Sequence, residues 1–252
     1  MSEVNTFTDI TKLIDTAEKT FSEQDIKEFE DIEKIFTLTL LTMRSISKFY
    51  SSDEWKDSNY EYALGVLIQS LETVLSMYSL SRSGFWDNTL VLKRNYSELL
   101  AVAIAIGYDQ QCFIDWKNNR GKMKSFGDIC KQISASNTVP EYPEKELLVI
   151  LKRYWNESSQ VYSHNISLKA IRTLVKKGQI KFEPKTATIE FETYRLRTLR
   201  NMLINILSIL MGIFDYGKFT QERKESFPEA LKIITDANEV FTNTDWSSQK
   251  TK

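Results

Sequence analysis

The stretch Phe85–Trp116, FWDNTLVLKRNYSELLAVAIAIGYDQQCFIDW, decides the fold. From Asn88 to Ile106 it is too apolar for a surface helix and reads as the buried central helix of the molecule. Gly107 divides it from Tyr108–Trp116, a second helical piece that folds back behind the first. Arg94 and Glu98 stand four apart on the side of this helix that carries Val91 and Val102. A buried guanidinium and carboxylate must pair, because desolvating either alone is costly, so the two are expected to form a buried pair that knits helices together.

Working outward, the same helical spacing recurs on both sides. Phe29, Ile32, Phe36, Leu40, Met43, Ile46 and Tyr50 mark a helix over Ser22–Tyr50 with no Gly or Pro inside it, about 40 Å long. Tyr60, Leu64, Leu67, Leu71, Val74, Leu75 and Tyr78 mark another, stopped by Ser81, Ser83 and Gly84. Phe7–Ala17 predicts a short amphipathic helix over 7–20, and Phe126–Ile133 a second short one. Ser134–Pro143, with two prolines, is a loop. A helix resumes at Leu147 and ends around Glu157–Ser159, where the sequence turns polar. Residues 180–191 alternate weakly and predict an extended excursion or small hairpin. Tyr194–Tyr216 and Phe227–Phe241 close the series as helices. The expected architecture is all-α: one helical domain over 1–242, a bundle of about eight helices with the 194–216 helix packed on the central one, and a disordered tail over 243–252.

Composition narrows the functional classes. Eight Gly and four Pro in 252 residues suit long helices. Thirty-three basic against thirty-four acidic side chains leave no global field for nucleic acid or membrane. The charge is unevenly placed: residues 1–34 hold ten acidic and four basic side chains, and 117–200 hold seventeen basic and eight acidic. No secretory signal opens the sequence, and the longest uncharged run, Asn201–Phe214, has 14 residues, a length for a core helix and not a membrane span. A cytoplasmic protein without membrane attachment is expected. Cys112, Cys130 and the single His164 cannot complete a four-ligand zinc site without carboxylates. Gly212-Ile-Phe-Asp-Tyr-Gly217-Lys218-Phe219 nearly spells a phosphate-binding loop, but Phe219 replaces the hydroxyl and the glycine follows a helix. No metal, flavin or nucleotide cofactor is therefore expected.

The residues with chemical potential are few. Lys117, Arg120, Lys122 and Lys124, with Lys169, Arg172, Lys176, Lys177 and Lys181, offer a basic middle region that would attract phosphates, although most charge runs are simply wet faces. Tyr154, Ser158 and His164 lie in a dense polar run, and His164 is the one imidazole for acid–base work near neutral pH.

Arg94-x-x-x-Glu98 on the core helix, followed some 55 residues later by Tyr154, Ser158 and His164 and then by a long apolar helix, resembles the HEPN-like helical families, in particular their uncharacterised bacterial and phage-defence members. The resemblance covers roughly Asn88 to Phe214. It implies an up-and-down bundle, frequently a homodimer, with an RNA-cleaving site in active members. In those members an Arg precedes the His by four to six residues. Here Ser159, Ser158 and Glu157 stand five, six and seven before His164, so the cation that would stabilise phosphate charge in the transition state is missing. The leading expectation is a non-enzymatic bundle that binds RNA or a protein partner through a polar cleft lined by Arg94, Glu98, Tyr154, Ser158 and His164, with Lys122 and Lys124 in the basic region. The alternative is a metal-independent ribonuclease built around His164.

Overall fold

The computed structural model describes residues 23–49, 56–82, 86–119, 125–163 and 189–214. This part is 91% helical without a strand, which makes the chain all-α. Its seven helices are α1 (Glu23–Phe49), α2 (Asn59–Arg82), α3 (Trp86–Tyr108), α4 (Gln110–Asn118), α5 (Phe126–Ala135), α6 (Glu146–Ser163) and α7 (Ile189–Ile213). The helices expected at 7–20 and 227–241, residues 180–188 of the extended excursion and the tail 243–252 lie outside the described residues.

Polar ties fix the directions of the helices. Asn59 at the start of α2 donates to the carbonyls of Ile106 and Gly107 at the end of α3, at 3.3 and 3.1 Å, capping acceptors that no helical amide can reach. Asn95 of α3 donates to Thr73 of α2, so these two helices run antiparallel. Lys93 meets Glu157 and Trp155 meets Glu98, which sets α6 antiparallel to α3. Arg197 and Arg200 of α7 reach Glu28 of α1, and the Tyr96 hydroxyl of α3 donates to Met202 O of α7. The five long helices thus alternate up and down, with α1, α3 and α7 pointing one way and α2 and α6 the other.

Helix α3 is central, packed between α2 and α6. Its Leu100, Ala101, Ala103, Ile104, Ala105 and Ile106 are all sealed from solvent, as expected for a helix apolar on every side. Helix α7 lies chiefly against α1 and α2 and meets α3 over a smaller area, so the expected pairing of the 194–216 helix with the central one is its minor contact. By length and composition alone α2 and residues Leu196–Ile213 of α7 could cross a membrane, but 72% of the latter window is buried inside the bundle.

Asp109 makes the corner between α3 and α4. Its carboxylate accepts from the amides of Gln111 and Cys112 and from the Ser136 hydroxyl, tying the loop after α5 to the same corner. Burial works against that charge, yet these donors hold Asp109 below the usual carboxylate range.

Several boundaries differ from expectation. The expected loop from Ser134 begins only at Ser136 and leads through a cis Tyr142–Pro143 bond into a wide turn over Glu141–Lys145. Helix α6 continues past Glu157 to Ser163, with the Ser158 hydroxyl back-bonded to the Tyr154 carbonyl at 3.0 Å and Glu157 paired with Arg153 one turn earlier. Helix α7 starts at Ile189, so residues 189–191 of the expected excursion are helical.

Gly107 and Gly212 explain how α3 and α7 approach. A Cβ on Gly107 would sit 2.8 Å from Cγ1 of Ile213, and one on Gly212 would collide with the Tyr108 hydroxyl and the Glu144 carboxylate. Each glycine is the hole for a side chain next to the other. Gly212→Ala is expected to destabilise the protein by about 1–3 kcal/mol through overpacking. Gly65→Ala, on α2 with open space around it, should stabilise by about 0.5–1 kcal/mol by removing glycine's backbone entropy. Urea denaturation of the two variants checks both signs.

Candidate functional site

The inward arc of α3 is set by Lys93, Tyr96, Ser97 and Leu100, all buried. This places Arg94 and Glu98 one residue off the core: their side chains are 47% and 40% exposed, and Val91 beside them is 44% exposed. The expectation of a buried Arg94–Glu98 pair is therefore corrected. Val91 was a poor marker of the core face, and Lys93, only 8% exposed, is the buried cation of this crossing. It reaches Glu157 on α6 at 3.2 Å, with its ammonium 5.4 Å from the centre of the Tyr154 ring. Lysine can do this because its long apolar stem tolerates burial while its tip finds a carboxylate.

Two polar knots result where α3 and α6 cross. In the inner one, Glu157 accepts from Lys93 and from Arg153 Nε at 3.0 Å. In the outer one, Oε1 of Glu98 accepts from Arg94 Nε at 3.0 Å and from the Trp155 indole Nε1 at 2.8 Å. The Arg94 guanidinium lies 4.9 Å from the Trp155 ring centre. That indole is stacked on Phe126 of α5, 5.4 Å between centroids and 11° between planes, which anchors the outer knot to the core.

Of the expected site residues, Arg94 and Glu98 come together on this face, whereas Tyr154 is buried beneath it against Lys93 and Tyr96. Ser158 is fully buried, with its hydroxyl turned to its own helix. His164, Lys122 and Lys124 lie outside the described residues. Sequence reasoning missed Lys93, Arg153 and Glu157 as partners and Trp155 as the platform. The four-residue spacing of Arg153 and Glu157 was a usable signal; the meeting of Glu98 with Trp155, 57 residues apart, was not.

Two further places carry polar chemistry. Glu144 is 1% exposed and accepts from the Tyr108 hydroxyl, while its second oxygen has no hydrogen-bond partner among the described residues. Burial pushes its carboxyl pKa up, and the Tyr108 bond only partly opposes this. A groove of about 290 Å³ separates α1 from α2, lined by Ile32, Phe36, Val74 and Leu75 over a floor of Leu203. At its polar end Tyr78 donates to Glu33, and burial together with that carboxylate pushes the phenol up to about 12, so it stays protonated near neutral pH. Among the described residues no three His, Cys, Asp or Glu side chains cluster as metal ligands, and Cys112 and Cys130 are buried and not joined in a disulfide.

The two knots should respond differently to truncation. Lys93→Ala is expected to cost about 1–3 kcal/mol, since it removes a buried partner of Glu157. Arg94→Ala should cost about 0.2–1 kcal/mol, the range of an exposed pair. Thermal melts of both variants check the order. Glu144, whose folded pKa lies above its ordinary value of 4.5, binds more protons in the folded than in the unfolded chain between those two values. Stability from this group is therefore lost as pH rises through that window. Relative to the native chain, Glu144→Gln should gain stability as pH rises from about 4 to 8, measured by urea midpoints at each pH.

Set beside known proteins, the chain matches no family model, no curated protein and no solved structure, so the roles of these residues rest on their geometry.

Proposed function

We propose that this chain is a non-enzymatic, HEPN-like helical binding protein that takes a nucleic-acid or protein partner on the face where α3, α5 and α6 meet. The observation that carries this reading is the outer knot. An exposed arginine is fixed by Glu98 against an indole that is itself anchored on Phe126. Arginine and tryptophan are the side chains that most often dominate binding energy, and here both are held in place before any partner arrives.

The same geometry argues against catalysis by the described residues. Glu98 and Glu157 each accept from two donors within the chain, which commits them to holding those side chains in place. Ser158 is buried. The missing cation before His164 points the same way.

The test is incubation of the full chain with a mixed single-stranded RNA pool in the presence of a chelator, following both retention and integrity of the RNA. Intact RNA, retained by the native chain and held at least about tenfold more weakly by Trp155→Ala, is the expected result. Circular dichroism verifies that this variant keeps its helices. Cleavage that disappears in a fully stable His164→Ala variant would establish the ribonuclease alternative instead.

A further inference from the structure

We infer that the groove between α1 and α2 is the docking site of the chain's own residues 7–20, which close it as an amphipathic strap. This is a different face from the one proposed to take a partner, and residues 7–20 are outside the described ones. Three observations carry the assignment. First, the groove has the form that receives a helix. It holds about 290 Å³ and is lined by Ile32, Phe36, Val74 and Leu75 over Leu203. Its rim is apolar where solvent reaches it: Leu75 on α2 is 43% exposed, and Ile26, on the same side of α1 as Phe36, is 51% exposed. An amphipathic helix fills such a groove with apolar side chains three, four and seven residues apart.

Second, the reach is right. Only Phe21 and Ser22 separate residue 20 from α1, which begins at Glu23. A link that short between two helices makes them antiparallel neighbours. Folded back there, with about the same 1.5 Å rise per residue on both sides, residues 7, 10, 14 and 17 stand level with 36, 33, 29 and 26 of α1. The groove occupies that stretch: Phe36 and Glu33 line it, and Phe29 packs edge-on against Tyr78 at its polar end.

Third, the apolar patterns match. Phe7, Ile10, Ile14 and Ala17 recur at helical spacing with Leu13 beside them, and Lys12, Asp15, Thr16 and Lys19 fall on the opposite side. Phe7 is thus level with Phe36, Ile14 with Phe29 and Ala17 with Ile26. Ile10 is level with Glu33, whose carboxylate is already turned to Tyr78 and Arg82.

Two other occupants fit less well. Residues 227–241 are also amphipathic, but 215–226 intervene after Phe214, which packs on Tyr60 at the start of α2, whereas the polar end of the groove lies at Tyr78 near that helix's other end. A second copy would give up translational and rotational freedom on binding, which a segment tethered by two residues has already lost.

The experiment places a reporter thiol in the full chain, either in the groove by Leu75→Cys or on its rim by Thr37→Cys, and measures the rate of alkylation by iodoacetamide with mass spectrometry. Cys112 and Cys130 are buried, and the chain without a reporter gives their background. Adding Ile10→Asp together with Ile14→Asp is expected to raise the rate at both reporters about tenfold by uncovering the groove. Circular dichroism verifies that the helices persist, and the two reporters guard against a local effect of either cysteine. Rates that stay the same at both positions overturn the strap. Rates raised instead by Leu231→Asp with Ile234→Asp assign the groove to residues 227–241, and protection that fades on dilution assigns it to a second copy; either result overturns the inference while leaving the partner face on α3, α5 and α6 untouched.

Discussion

The structure depends on how closely α3 and α7 can approach. Gly107 admits Ile213, and Gly212 admits Tyr108 together with the Glu144 carboxylate that Tyr108 holds. Because protein interiors are packed to crystal density, one added methyl at either point has nowhere to go. The contact also reaches outward in the chain. Tyr108 ends α3, Asp109 turns it into α4, and Ser136 on Asp109 places the loop that delivers Glu144 back to Tyr108. A closed circuit of packing and hydrogen bonds thus fixes one end of the bundle.

The other side of α3 has a different character. Where it faces α6 the interface is built from charge and aromatic rings instead of aliphatic packing. Lys93 and Glu157 sit low in the crossing, and Arg94, Glu98 and Trp155 sit at its rim. The buried pair constrains how α6 can slide along α3, since a shift of one turn would leave a desolvated ammonium without its carboxylate. The rim pair adds little stability by the same physics, because water screens it.

The apolar groove between α1 and α2 follows from the packing order. Helix α1 lies mainly on α7, so it does not close against α2 along its length. Leu40 and Leu75, both on the expected core faces of their helices, are 45% and 43% exposed for this reason. The helical pattern identified their helices correctly, but which turn of an apolar stripe is covered depends on the neighbour that arrives there.

Uninterrupted 3.6-residue periodicity was enough to place α1, α2 and α3 to within a residue or two, and with them the all-α class. These are local properties, decided by side-chain spacing and by the lack of Pro inside the segments. The Arg94–Glu98 pair was also legible, because partners four apart on a helix meet whatever surrounds them. Its exposure was not. A shift of one residue turns a helix by about 100°, so Lys93 and Arg94 could exchange roles without any change in local pattern. The polar run after Tyr154 looked like a helix end because serines weaken a helix in isolation, and only packing against α3 carries α6 through it. Trp155, Phe126 and Glu98 meet across helices far apart in sequence. Such meetings belong to the tertiary structure alone, since chain periodicity fixes which side of a helix a residue takes but not which helix arrives to face it.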